Sequence, residues 1–246
     1  MHVQAPAAGI HDGDPALVGE RRVAAVRHPT SGAVVLGSTQ PASDFDEAAC
    51  HRHGLEVTRR RSGGGAVLVR PGAQVWIDFF LPRGDPLLDA DVVRSFSVVG
   101  AIWVSALQSR HELLGPGAGS VSTAEPRRPA AGPREQGTWS RLLCFGGIGA
   151  SEVTVGGRKA VGIAQRRDRA GAWFYSMVML DVGAGGPGEL GLLLADPSRR
   201  HDAASWLDAA AVAVPGGPDV AAGLTEAVLH HLPGGRDPAG GEGNRS

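Results

Sequence analysis

Val75-Trp76-Ile77-Asp78-Phe79-Phe80-Leu81 is the segment that most limits what this 246-residue chain can become. Side chains of a strand alternate between two faces, and both alternations here are almost wholly apolar, so the segment is expected as a central strand buried on both sides. Shorter strands are expected over residues 22–26, 33–36, 55–58, 66–69, 142–145, 152–155, 159–166 and 172–180, each bounded by turn residues. Gly156-Gly157 supplies the two positive-φ positions of a tight hairpin between two of them.

Helical signals are fewer. Ser43 can cap a helix over Asp44-Phe45-Asp46-Glu47-Ala48-Ala49, with acidic residues in the first turn where the helix dipole favours them, and Gly54 ends it. From Pro86 to Leu107, apolar residues Leu88, Val92, Phe96, Val99, Ile102, Trp103 and Ala106 recur at helical spacing, which predicts one long helix with a core face. Two further helices are expected over residues 189–194 and 219–232. Strands at both ends of a long helix, joined by hairpins, predict an α+β fold: a mixed, largely antiparallel sheet with helices packed on it. The expected organisation is a loose Gly/Pro/Ala-rich arm over residues 1–20, one domain over 21–235 with a mobile loop at 115–137, and a disordered polar tail at 236–246.

A formal net charge of -1 gives no global basic field for nucleic acid. No apolar run is long enough to span a bilayer, and Met1-His2-Val3-Gln4 does not open a basic segment followed by an apolar one, so a cytoplasmic location and no membrane partner are the default expectations. Two cysteines, Cys50 and Cys144, are too few for a disulfide framework or a four-cysteine zinc site. The pairs His51/His53 and His230/His231 read as surface histidines at helix ends, and no metal held by the protein alone is expected.

Of the 24 lysine and arginine residues, only Lys159 is a lysine. An ammonium is a compact charge on a flexible stem and a guanidinium a planar fork, so a single lysine in a glycine-rich hairpin marks a candidate catalytic residue. On a regular strand Lys159 shares a face with Val161 and Ile163, while Gly162 and Ala164 keep the other face shallow. A cation beside apolar surface requires an anionic partner, and a bound phosphate or acyl carboxylate is the expected one. Upstream, Arg59-Arg60-Arg61-Ser62-Gly63-Gly64-Gly65-Ala66-Val67 joins guanidiniums to glycines whose backbone N–H groups a ligand can approach closely, a pattern suited to an anion. It is neither a P-loop nor a dinucleotide-binding glycine motif.

These two motifs together resemble the lipoate-protein ligase A and octanoyltransferase branch of the biotin/lipoate protein ligase superfamily, over most of residues 33–181. The family's arginine, serine and triple-glycine element falls on Arg60–Val67, its G-R-K-x-x-G-x-A element on Gly157–Ala164, and its upstream turn on Gly37-Ser38-Thr39-Gln40. The resemblance implies a domain like the class II aminoacyl-tRNA synthetase and biotin ligase cores. It implies attachment of a lipoyl or octanoyl group to a lysine of an acceptor, such as a glycine cleavage H protein or a 2-oxoacid dehydrogenase E2, through an acyl-adenylate formed from ATP with Mg. Carried over, the nucleotide or acyl group meets Arg60, Ser62, Gly63, Gly64, Gly65, Ala66, Val67, Leu68, Gly162 and Ala164, and Lys159 holds the acyl carbonyl and phosphate oxygens. In cysteine-dependent octanoyltransferases a Cys-Phe pair precedes the lysine by fifteen residues and a Glu follows the cysteine by eight, spacings that Cys144, Glu152 and Lys159 reproduce. That implies instead transfer from acyl carrier protein through a Cys144 thioester, whereas Gly65 looks like the ligase version. Val69-Arg70 and Tyr175-Ser176 stand where the family often has His-Asp and His-Gly, departures that leave a non-catalytic acyl- or adenylate-binding homologue as a third reading.

Overall fold

The computed structural model of the chain describes residues 1–10, 21–125, 134–183 and 186–233. All nine residues of the strand Gln74–Pro82 are buried, as the apolar run predicts. Numbered in chain order, the strands are β1 (His2–Ala5), β2 (Val23–Pro29), β3 (Gly32–Leu36), β4 (Leu55–Arg59), β5 (Val67–Val69), β6 (Gln74–Pro82), β7 (Val121–Thr123), β8 (Val153–Val155), β9 (Arg158–Arg167), β10 (Gly171–Asp181) and β11 (Val214–Pro215). The large sheet runs β1-β2-β6-β10-β9-β8-β7, with β11 beside the end of β10; only the β1–β2 and β10–β11 pairs are parallel. A small sheet, β4-β3-β5, lies apart from it. This is the mixed, largely antiparallel α+β architecture that the patterning predicts.

The two faces of the large sheet feed two cores. On one, Ile77, Phe79, Val161, Phe174 and Val178 pack against Val99, Trp103 and Leu107 of helix α3 (Phe96–Ser109) and Leu224 and Val228 of helix α7 (Pro218–His230). On the other, Trp76 and Met177 meet Val34, Val35 and Leu36 of the small sheet, Trp139 of helix α4 (Arg134–Leu142) and residues of four other helices. These are α1 (Ala7–Ile10), α2 (Glu47–Arg52), α5 (Glu189–Leu192) and α6 (Arg200–Ala210). Each large apolar side chain buried in this way contributes about 1.5–3 kcal/mol.

Several local expectations give way to side-chain hydrogen bonding. Residues 86–95 form turns, and α3 starts only at Phe96, because Asp85 accepts from the Leu87 N–H, Asp89 from that of Asp91, and Asp91 from those of Val93 and Arg94. Aspartates bonded to neighbouring amides stabilise turns at the expense of helix. The cap of α2 is Asp46, which accepts from the Ala49 N–H at 2.9 Å, and residues 42–44 form a 3-10 turn. The arm expected over residues 1–20 is a paired strand and a packed turn of helix over its first half, with Ala7 and Ile10 buried; residues 11–20 lie outside the described residues. Within the segment expected as a loop at 115–137, β7 pairs with β8 and α4 (Arg134–Leu142) begins, while residues 126–133 fall outside the described part. The strand expected over 142–145 is the end of α4 followed by a 3-10 turn at Cys144–Gly146. Helix α6 carries too few large apolar residues to announce itself, and the tail at 236–246 is not among the described residues. No helix among the described residues is long and apolar enough to cross a membrane.

Candidate active site

Gly156 and Gly157, at φ +57° and +78°, turn β8 into β9 as the hairpin motif predicts. Val153 then pairs with Val161 but Thr154 with Lys159, which leaves Ala160 as the extra residue of a β-bulge. Such an insertion re-aims the side chains on one side of it. The aliphatic stem of Lys159 passes beside Gly162, where an added Cβ would lie 3.5 Å from Lys159 Cε and 3.3 Å from the Phe145 ring. Lys159 therefore does not share the face of Val161 and Ile163, and a side chain at Gly162 would press on the Phe145 ring and touch the lysine stem.

Lys159 is 2% exposed. Its Nζ donates to the carbonyl of Cys144 at 2.7 Å and that of Gly147 at 3.1 Å, pairs with Glu152 Oε2 at 2.7 Å, and lies 5.0 Å from the centre of the Phe145 ring. An ammonium has three N–H groups. The anionic partner expected from a ligand is supplied by the chain itself, and a substrate oxygen reaches Nζ by replacing one of these three acceptors. Burial works to lower the Lys159 pKa, but the charges of Glu152 and Cys144 and the Glu152 hydrogen bond outweigh it, so the amine is held above its ordinary value and stays charged. Glu152 is itself fixed: Oε2 accepts from the Gly149 N–H at 2.6 Å and Oε1 from the Ile163 N–H at 3.1 Å, on the edge of β9 beyond the end of β8.

The glycine run is held by guanidiniums from behind. Arg60 is 6% exposed and donates to Ser62 Oγ (3.1 Å), the Val35 carbonyl (3.2 Å) and the carbonyls of Gly63 and Gly65 (2.8 Å each). Most of its donors serve its own loop, so the contact with a nucleotide implied by resemblance is at best a fraction of its work. Arg59 does the same for the upstream turn, donating to the Gly37 carbonyl at 2.8 Å and that of Gln40 at 2.5 Å. The glycines permit close approaches: an added Cβ on Gly37 would fall 1.8 Å from the Gly64 carbonyl oxygen, and one on Gly65 2.6 Å from the Leu143 nitrogen. Ala66 locks this contact, donating to Leu142 O at 2.9 Å and accepting from Cys144 N at 2.8 Å. The turn that carries Cys144 is thereby tied to the glycine loop on one side and to Lys159 on the other.

Two spaces meet here. A wider cleft is bordered by Gly63, Gly64, Gly65, Ser140, Gly149, Glu152 and Lys159. A narrower slot runs between Val67, Trp76, Phe145, Gly162, Tyr175 and Met177. Arg60, Cys144, Ile163 and Ala164 line both. The sequence-predicted residues thus converge, with three exceptions. Ser62 and Ala66 stand behind the wall as supports, and Leu68 faces a separate depression with Arg70 and Met179.

Sequence reasoning missed the floor of the slot. Trp76 of β6 donates through Nε1 to Asp78 Oδ1 at 2.7 Å, and Arg27 Nε donates to Asp78 Oδ2 at 2.7 Å, a pair with no exposed surface on the carboxylate. Tyr175 of β10 lies opposite Asp78 of β6 and Ala164 of β9. Among the described residues, Arg27 Nη2 is buried with no hydrogen-bond partner, while the buried Tyr175 hydroxyl, its pKa raised chiefly by burial, has the Arg166 guanidinium beside it. An unmatched buried polar group costs about 1–3 kcal/mol. A single aspartate in an otherwise apolar strand was the available signal for this cluster. Among the described residues no group of three or more His, Cys, Asp or Glu side chains that could hold a metal comes together, and Cys50 is a buried residue of α2 that lines neither space.

The family model described as the lipoyl protein ligase A/B catalytic domain matches residues 20–184. Among solved structures, a bi-partite lipoate protein ligase from Thermoplasma acidophilum, described with its E2 lipoyl domain, is similar at a TM-score of 0.59 and 17% identity, over 87% of this chain and 72% of that one. A lipoate-protein ligase A bound with ATP is similar at 0.57 and 16%, over the same shares of 87% and 72%. No curated protein matches the chain in sequence. At these identities the structural likeness establishes the fold.

Proposed function

The chain belongs to the lipoyl protein ligase A/B catalytic-domain family, and from that premise we propose that it attaches a lipoyl or octanoyl group to a lysine of an acceptor protein through an acyl-adenylate. The observation that carries this reading is the meeting of an apolar slot with a cationic, glycine-walled cleft at Lys159. An aliphatic acyl chain gains about 0.8 kcal/mol for each methylene taken from water into such a slot. Its carboxyl end then emerges beside the ammonium. In the first step a carboxylate oxygen attacks the α-phosphorus of ATP and pyrophosphate leaves. In the second the neutral amine of the acceptor lysine attacks the acyl carbonyl, AMP leaves, and the amine proton is lost to solvent. Lys159 faces the negative charge that develops on oxygen in both steps, where a preorganised donor is most effective. The N–H groups of the glycine loop are the other donors available for phosphate oxygens.

The donor set does not suit a protein-held magnesium ion. The carboxylate lining the cleft, Glu152, is committed to Lys159, Gly149 and Ile163. Any Mg²⁺ is therefore expected to arrive on the nucleotide phosphates.

One observation favours a second reading. Cys144 lies at the junction of slot and cleft, partly exposed, and its backbone carbonyl accepts from Lys159 Nζ at 2.7 Å. A thiolate beside that ammonium can take an octanoyl group from carrier-protein thioester, releasing the carrier thiol, and pass it to the acceptor lysine. The two are separated by incubating the protein with an apo lipoyl domain and either octanoate plus ATP and Mg²⁺, or octanoyl carrier protein, and reading the acceptor mass. We expect octanoylation with ATP and free acid. Modification only from the carrier, abolished by Cys144→Ala, would replace the ligase reading with the transferase, and no mass change in either mixture would leave an acyl-binding homologue.

A further inference from the structure

Lys159 carries a chemical hazard for an enzyme that handles activated acyl groups. An Nζ that faces the charge on an acyl carbonyl oxygen stands close to the carbonyl carbon as well, near the separation of about 3–3.5 Å at which a nucleophile attacks. A neutral lysine amine is a nucleophile toward such a carbon, whereas an ammonium has no lone pair to offer. Nζ must therefore be held charged, and its surroundings oppose that. Lys159 is 2% exposed, and burial and the Arg60 charge both favour the neutral amine. Foremost among the groups that reverse this is Glu152, through its charge and its hydrogen bond. Glu152 is also held in place independently of Nζ. Its Oε2, 2.7 Å from Nζ, accepts from the Gly149 N–H at 2.6 Å, and its Oε1 accepts from the Ile163 N–H at 3.1 Å, so its own turn and β9 both fix it. The Gly147 carbonyl, at 3.1 Å, is the longest of the three contacts to Nζ and the place open to a substrate oxygen.

We propose that Glu152 is a positioning residue that protects Lys159 from the activated acyl group beside it: by staying paired with Nζ throughout the reaction, it directs the acyl group to the acceptor lysine and away from the enzyme's own. This role rests on the acyl-attachment reading and specifies which amine in the site is allowed to react. Without the carboxylate, the Nζ lone pair attacks the carbonyl carbon of an acyl-adenylate, a carbon–nitrogen bond forms, and the bond from that carbon to the phosphate oxygen breaks. AMP leaves with the electron pair, and the surplus N–H proton passes to water. The product is an amide on Lys159, which ends catalysis.

The test gives octanoyl-AMP to the whole chain, as wild type, Glu152→Gln and the double variant Glu152→Gln/Lys159→Arg, with and without an apo lipoyl domain. Hydroxylamine then strips any thioester from Cys144 but leaves amides, and peptide masses locate the octanoyl group. The expected result is at least about tenfold more amide on Lys159 in Glu152→Gln than in the wild type, the factor that one pKa unit makes in the neutral fraction, and none at that position in the double variant. A purely structural role for Glu152 lowers stability and transfer without putting acyl groups on Lys159, so a folded Glu152→Gln protein that stays unmodified there overturns the proposal, as does equal modification of the wild type. A second measurement needs no variant. Because Lys159 is the only lysine, ¹⁵N-lysine labelling gives a single Nζ resonance. In the wild type it should report an ammonium up to about pH 9; a neutral, unacylated amine below that pH overturns the proposal equally. Octanoylation of the lipoyl domain by all proteins that keep Lys159, with no amide on that residue, sinks this inference alone. The absence of any acylation, of acceptor or enzyme, sinks the acyl-attachment reading with it.

Discussion

Three oxygens converge on one ammonium at Lys159, in a space closed by Phe145 and the backbone of Gly162. A guanidinium keeps the charge but is longer and planar, and it cannot point three donors at the corners of that small pyramid. Lys159→Arg is accordingly expected to raise the barrier to acceptor acylation by about 2–4 kcal/mol, the scale of losing one oxyanion donor, read as a fall in kcat/KM with acceptor concentration varied. Overpacking adds a separate loss of about 1–3 kcal/mol in stability, visible in chemical denaturation. An Arg variant with full activity would remove the role assigned to this residue. The rarity of lysine made the position legible in the sequence; its orientation was not, because the bulge at Ala160 depends on how β8 and β9 meet. The anion at Nζ was legible as a need and misassigned as to source, since Glu152 reaches it only once the turn at Gly149 has folded.

The loop from Arg59 to Val67 is the element whose sequence said most. Its glycines are not equivalent, however. Gly63 has no atom within 4 Å of an added Cβ and a φ that is not left-handed, whereas an added Cβ on Gly65 would meet the backbone of Leu142 and Leu143 at 2.6–2.8 Å. Gly63→Ala should change stability by less than about 0.5 kcal/mol. Gly65→Ala should cost about 1–3 kcal/mol and push the Cys144 turn off the loop, with acyl transfer falling more than stability because Ala66 couples the two segments. Parallel melting and transfer assays on the two variants check this; equal behaviour would mean that the loop is not clamped by the end of α4. Apolar runs and paired glycines made most strands readable, since period-2 burial and tight turns are written locally. The early end of the long helix and the existence of β1 and α6 were not, because they depend on aspartate-amide bonds and on faces completed by distant segments.

Across the whole molecule, the Arg27–Asp78 pair joins β2 to β6 at the middle of the large sheet, beneath the slot and between its two cores. Burial pushes the Asp78 carboxyl from 3.8 up to about 6, with Arg27 and the Trp76 hydrogen bond pulling it part of the way back. A carboxyl whose folded pKa lies above its unfolded one holds its proton more firmly in the folded state. The stability it contributes is complete below the unfolded value and is lost as pH rises through the folded value, by up to about 3 kcal/mol for a shift of this size. His28, held low by burial and by His2, acts with the opposite sign near the same window, so the Asp78 contribution has to be read as a difference between proteins. Asp78→Asn removes the titrating group and offers one acceptor oxygen where Asp78 has two, so the Arg27 or the Trp76 N–H is left unmatched and the variant should be less stable by about 1–3 kcal/mol. The gap in unfolding free energy between wild type and Asp78→Asn should be widest near about pH 4 and narrow toward about pH 7, since only the wild type loses a bound proton over that interval. Urea denaturation of both proteins at steps across that range measures it. A gap that stays constant or widens with pH would mean that Asp78 is ionised throughout, and that the sheet tolerates its central charge at no cost from burial.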